Sequence, residues 1–167
     1  MIKRFLKWLF RYWLIWDIEP PDLEEEDMGP YTWKEFVAEC LGVAIDFDNM
    51  YGAQCVDVVR YYWNKVLGLT RAQQPNTTPS GGAKDLINNV RSPLRVRATT
   101  EEPRPGDVVV WGAVQGNPWG HTALVIAVEP GNITVMDQDG LDPKAVCRKK
   151  IYARNNRIAG YITHTAA

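Results

Sequence analysis

Three cysteines and two histidines are the scarce reactive groups of this 167-residue chain, so chemistry that needs a thiol or an imidazole has few places to be built. Cys55 lies in the run YGAQCVD at 51–57, where a helical pattern begins. A thiol at a helix N-terminus gains from the positive end of the dipole and from free backbone N–H groups, both of which favour the thiolate. His121 opens a strand-like run directly after Trp119 and Gly120. An imidazole set against Cys55 would pair with the thiolate as imidazolium and deliver a proton to a leaving group. Asp137 ends the next alternating run, and its carboxylate could accept the other imidazole N–H and fix the ring's orientation. Together these are the parts of a nucleophilic acyl-transfer site, whereas a cysteine taken singly is more often a small buried hydrophobe. Cys40 on an apolar helical face and Cys147 in mid-strand keep that structural reading, and His164 near the C-terminus reads as solvated.

A second constellation surrounds the cysteine. Asp46 and Asp48 precede it in DFDNM at 46–50, and Asp57 follows two residues after it. Carboxylates at i and i+2 on a loop, joined by a third from the adjacent helix and by a backbone carbonyl, supply the hard oxygen ligands that Ca²⁺ prefers. The same acids also serve as caps or turn formers, and the full EF-hand spacing is absent.

Periodicity shows the elements that must bring these groups together. The run TWKEFVAECLGVA at 32–44 predicts a helix of about three turns, with Thr32 as N-cap and Glu35 completing a capping box. A second helix is expected from near Gln54, with Val58, Val59, Tyr62, Trp63 and Val66 as its apolar face and Gly68 as its stop. Turn formers at 73–82 lead to a short helix over 83–89. The second half changes period: DVVVWG at 107–112, HTALVIAVE at 121–129, NITVMDQ at 132–138, AVCRKKIYA at 145–153 and RIAGYITH at 157–164 read as strands. Helices first and a strand meander after is an α+β layout.

Composition agrees with one folded domain: 46% of residues are hydrophobic and 23% charged, within the globular range. A further binding module is therefore not expected. The net charge of −1 hides unlike blocks, four bases and no acid in residues 1–16 and seven acids and no base in residues 17–27. The remainder is near balance, which argues against a nucleic-acid partner. Residues 1–16 set Lys3, Lys7 and Arg11 at i, i+4, i+8 beside Arg4 and leave a wide apolar face, so an amphipathic, basic and aromatic helix is expected. Sixteen helical residues reach about 24 Å, short of a hydrocarbon core of about 30 Å. The bases interrupt any signal-peptide core, and no small-residue cleavage site follows. An in-plane membrane anchor or a helix docked on protein remains. Residues 17–30, with Pro20, Pro21 and Pro30, read as an acidic linker, and the catalytic domain is expected over 31–167.

Read in order, D-x-D-x-x-Y-G-x-Q-C-x-D from Asp46 to Asp57, GGAKD at 81–85, PGDVVVWG at 105–112, GHTALVI at 120–126 and VMDQD at 135–139 resemble the CHAP family, the cysteine- and histidine-dependent amidohydrolase/peptidase domains of phage lysins. The resemblance covers about residues 32–164. It implies a papain-like α+β fold, N-terminal helices packed on an antiparallel sheet of five to six strands. It implies Cys55 as nucleophile, His121 as general base, Asp137 as the residue orienting the imidazole, and Gln54 as a side-chain donor that joins the Cys55 N–H in stabilising the oxyanion. Asp46, Asp48 and Asp57, with the Met50 carbonyl, match the calcium ligands of the calcium-dependent phage members. Two positions depart from the pattern. Asp139 stands where many members have Asn, which leaves open whether Asp137 or Asp139 orients His121, and Gly52 stands where some relatives supply a further side-chain ligand.

The resemblance further implies a phage-type peptidoglycan hydrolase, an amidase or endopeptidase acting through a thioester on the bacterial cell wall, either virion-associated or an endolysin present in the host cytoplasm before lysis. Residues 1–16 would then dock onto virion proteins or a membrane surface. The alternative is a non-catalytic phage structural module that keeps the fold. The groove is expected around Trp63, Trp111, Trp119 and the 70–82 loop, although tryptophans serve equally as core.

Overall fold

The computed structural model describes residues 31–98, 100–139 and 145–165; the amphipathic helix expected over 1–16 and the linker expected over 17–30 lie outside the described residues. Helix α1 spans Trp33–Cys40 and α2 spans Cys55–Lys65. A 3-10 helix follows over Ala83–Asn89, and then six strands: β1 Leu94–Arg97, β2 Val108–Trp111, β3 His121–Glu129, β4 Asn132–Asp137, β5 Arg148–Ala153 and β6 Ile158–His164. They form one sheet in the order β1-β6-β2-β3-β4-β5, antiparallel at every pairing. The α+β expectation holds, and the sheet has six strands. No helix among the described residues is long and apolar enough to cross a membrane.

The capping box forms as expected: Thr32 N–H donates to Glu35 Oε2 at 2.6 Å and Glu35 N–H to Thr32 Oγ1 at 3.3 Å. The helix it starts ends sooner than the apolar spacing predicts. Leu41 leaves the helical conformation, Gly42 takes φ +80°, and Gly42 and Val43 exchange backbone hydrogen bonds with Cys147. A residue far along the chain, just ahead of β5 and not in mid-strand, thus claims backbone groups that would otherwise extend the helix. Helix α2 runs as expected and stops before Gly68, which sits at φ +65°.

Alternation splits the sheet into two faces. Val108, Val110, Leu124, Met136 and Ile162 pack under α1, α2 and the 3-10 helix with Phe36, Val59, Trp63 and Leu86. The intervening Val109, Trp111, Ala123, Val125, Ile133 and Val135 form a second cluster on the other side. Trp63 is 1% exposed and belongs to the first core, so it does not line a groove as expected. Strand β1 went unpredicted. Its arginines break the apolar pattern, yet Arg97 is buried by giving Nε to Asp107 Oδ2 at 2.8 Å and Nη2 to Thr163 Oγ1 at 3.1 Å, which satisfies a charge that would otherwise be costly to bury.

Candidate active site

Cys55 is the first residue of α2 and is half-buried. The helix start is held by its own acid: Gln54 N–H donates to Asp57 Oδ2 at 2.9 Å. Gln138, fully buried just past β4, ties this start to the sheet. Its Nε2 donates to Gln54 O at 3.0 Å and to Ile45 O at 2.6 Å, while its Oε1 accepts Ile45 N–H at 2.7 Å. Both the loop before the cysteine and the strand that carries Asp137 are therefore fixed by one side chain.

His121 starts β3, opposite Trp111 of β2 in the ladder. Two glycines set its position. Gly120 has φ +72°, and a Cβ there would lie 2.5 Å from Trp111 O; at Gly82 a Cβ would lie 2.5 Å from Trp119 O. The 3-10 helix can then approach closely enough for Lys84 N–H to donate to Trp119 O at 3.1 Å. Trp119 itself is 56% exposed.

His121 Nε2 lies 3.0 Å from Asp137 Oδ2, and the imidazole is near enough to Cys55 for the thiol to act on its charge. Of the two acids that the sequence leaves open, Asp137 takes the imidazole, while Asp139 is exposed beyond the end of β4. Asp137 is itself gripped: Tyr152 OH donates to Oδ2 at 2.9 Å and Lys150 Nζ pairs with Oδ1 at 3.2 Å. The Trp111 ring stacks on His121 with centroids 5.3 Å apart and packs on Tyr152 at 4.9 Å. Sequence reasoning missed Tyr152 and Lys150, because only the pairing of β5 with β4 sets Tyr152 beside Ile133 and Lys150 beside Val135.

The electrostatics follow from this arrangement. Burial pulls the His121 imidazole down, but the hydrogen bonds to Asp137 and Cys55 and their negative charges outweigh it, and its pKa rises to about 9. Burial works to raise Asp137, but the His121 hydrogen bond and charge, with Lys150 and Tyr152, hold it below the usual carboxylate range. Burial drives the other two thiols up, Cys40 to about 11 and Cys147 to about 12. Both sit in the core, in accord with a structural role.

Asp46, Asp48 and Asp57 bring carboxylate oxygens within 4.8 Å of one another. Asp57 is 0% exposed, and its Oδ1 has no hydrogen-bond partner among the described residues. Burial, opposed by the Gln54 N–H and reinforced by the Asp48 charge, raises its pKa to about 6. An orphaned buried carboxylate oxygen is costly, and three converging acids suit a hard divalent cation, so these residues fit calcium. Met50 lies in the same loop, its N–H donating to Asp48 Oδ1 at 3.1 Å.

A cavity of about 270 Å³ opens from His121, lined also by Trp111, Asn117, Tyr152 and Arg157. Three larger hollows lie elsewhere, of about 440 Å³ beside Arg95, Arg104 and His164, about 450 Å³ beside Val43, Asp46 and Phe47, and about 290 Å³ beside Glu102, Arg154 and Tyr161. The smallest of the four is the candidate substrate site, since it alone of them touches the imidazole.

Comparison with known proteins gives the family and the fold. A family model described as CHAP domain matches residues 45–139, more than half of the chain. Endolysin PlyTW of Staphylococcus phage Twort (strain DSM 17442 / HER 48) is 30% identical over 114 residues, 64% of this chain and 23% of the relative; the chain thus spans about a quarter of that protein's length. Among solved structures, the crystal structure of Ly7917 with the hydrolyzing product of MDP superposes with a TM-score of 0.64 at 20% identity, covering 80% of this chain and 63% of that one. The wild-type endolysin LysIME-EF1 gives a TM-score of 0.60 at 22% identity, over 79% and 62%. At these identities the structural likeness speaks for the fold.

Proposed function

From the premise that the chain belongs to the CHAP domain family, we propose that it is a phage-type peptidoglycan hydrolase whose Cys55 thiolate attacks a cell-wall amide. The observation that carries this reading is a half-buried thiol at a helix N-terminus whose charge bears on an imidazole that a buried carboxylate holds. The relation to a phage endolysin supports the substrate class.

Cys55 Sγ adds to the scissile carbonyl, and the oxyanion that forms is met by the Cys55 N–H at the open end of α2 and by the Gln54 side-chain amide. Preorganised donors of this kind contribute about 3–4 kcal/mol each to lowering the barrier. His121, as imidazolium, gives its proton to the departing amine, leaving a thioester on Cys55. It then takes a proton from water, which attacks the thioester and frees the thiol. Asp137 keeps one imidazole nitrogen engaged so that the other faces Cys55. The cavity beyond His121, with the Trp111 and Tyr152 rings and the Arg157 cation, suits a peptide bearing carboxylates. Rapid acid quenching of enzyme with wall fragments, followed by mass spectrometry of the Cys55 peptide, tests the mechanism: a stem-peptide adduct on Cys55 is expected, and an adduct elsewhere would refute it.

Calcium is part of the same reading. Held by Asp46, Asp48, Asp57 and the Met50 carbonyl, the ion would supply a fixed positive charge tying the loop to the helix that bears Cys55. The orphaned Asp57 oxygen supports it. Residues 1–16 are read as the segment that docks the enzyme, on virion proteins in preference to a membrane. An immunoblot of purified particles tests this, and finding the protein only in lysate would refute it.

A further inference from the structure

The acid cluster already has a cation beside it. Arg60 lies three residues after Asp57 on α2 and is 5% exposed, with Nη1 2.7 Å from Asp48 Oδ2. Its Nε is buried and has no hydrogen-bond partner among the described residues. Both Asp48 oxygens are therefore engaged, Oδ2 by the guanidinium and Oδ1 by the Met50 N–H, while the Asp57 Oδ1 remains unpartnered. A guanidinium stays charged at any physiological pH. So deep a charge cannot swing into water without exposing its stem and giving up its partner on Asp48, whose side chain is 26% exposed.

We propose that Arg60 is the internal counter-ion of the Asp46–Asp48–Asp57 cluster, competing with a divalent cation for Asp48 and holding the loop to helix α2 when no metal is bound. This rests on reading the cluster as a calcium site, and it goes further in assigning that site a protein-borne competitor. Two consequences follow. The protein keeps its loop in place without calcium, since one positive charge already bridges loop and helix. Calcium, when it binds, must displace or share the Asp48 oxygen, so the site is weaker than three converging carboxylates would otherwise make it. Replacing Arg60 by a neutral side chain removes the bridge and the competitor together, and so converts a tolerant site into one that depends on the ion.

The test is calorimetric titration of the metal-stripped full-length protein with calcium chloride, paired with thermal unfolding with and without the ion. It is done for the wild type, for Arg60→Met, which keeps the apolar stem, and for Arg60→Gln, which can still donate to Asp48 without a charge. Each is prepared with Cys55→Ala, so that the readout is independent of catalysis. The neutral variants are expected to bind calcium about tenfold or more tightly than the wild type, to unfold at lower temperature without the ion, and to gain more from it. Equal affinity in wild type and variants would overturn the role of Arg60 and leave the calcium reading intact. Heat of binding in none of them would remove the calcium reading, and this inference with it. Failure of both variants to fold even in saturating calcium would also overturn the proposal, since the ion would then be unable to take the place of the guanidinium.

Discussion

Tyr152 donates its hydroxyl, at 2.9 Å, to the same Asp137 oxygen that holds His121. Asp137 is thereby fixed by two donors on one oxygen and by Lys150 on the other, so the imidazole is aimed through a carboxylate that cannot rotate. Tyr152→Phe keeps the ring against Trp111 and removes one hydrogen bond, which is typically about 0.5–1.5 kcal/mol. A fall in kcat of up to about tenfold with little change in KM is the expected result, read from steady-state cleavage of a soluble wall peptide. An unchanged kcat would mean that Asp137 needs no such support.

The pH profile should carry the mark of His121. An imidazole raised to about 9 keeps its proton through neutral pH, so activity should fall as pH climbs through about 9. The same shift contributes stability that is complete below the ordinary histidine pKa of about 6.5 and is lost as pH rises through the folded value. Asp137→Asn removes the charge that helps raise the imidazole and leaves a weaker, neutral acceptor, so the alkaline limb should move to lower pH while kcat falls. A limb that stays in place would separate Asp137 from the titration of His121.

Thiol labelling separates the three cysteines. Cys40 and Cys147 are buried and their pKa values are driven up to about 11 and 12, whereas Cys55 is half-buried at the head of α2. Iodoacetamide at neutral pH should modify the folded protein at one site and the denatured protein at three. Peptide mapping checks this, and native labelling at Cys40 or Cys147 would contradict it.

Gly120 tests the backbone beneath His121. Its φ is +72°, and only 2.5 Å would separate an added Cβ from Trp111 O, which leaves no room for a side chain. Gly120→Ala should cost roughly 1–3 kcal/mol of stability and lower kcat by displacing His121. Denaturant unfolding and steady-state rates check both. Normal rates in a destabilised protein would show that the strand start tolerates the shift.

Much of this site was legible in the sequence because its parts sit at element boundaries with strong local signals: Cys55 where helical periodicity starts, His121 after a glycine, Asp137 where a strand ends. What escaped depends on partners far along the chain. The end of α1 is decided by hydrogen bonds to Cys147, and β1 is disguised by arginines, one of which finds its acid in Asp107. Tyr152 and Lys150 reach Asp137 only through strand register. Arg60, one of several charged residues in α2 as a sequence, shows its bearing on the acid cluster only when the loop folds back to bring Asp48 within 2.7 Å. The groove was misjudged at Trp63 because a helical apolar face cannot reveal which of its aromatics meets the core.

Whether Cys55 with His121 and Asp137 cuts cell-wall amides is decided by incubating purified Gram-positive walls with the wild type and with Cys55→Ala. Turbidity is followed, and the released fragments are sequenced by mass spectrometry. Wild type should clear the suspension and release one defined pair of new amino and carboxyl termini, and Cys55→Ala should do neither. Equal clearing by the two proteins, or release of sugar reducing ends in place of amide termini, would contradict the assignment of Cys55 as the nucleophile of an amide hydrolase.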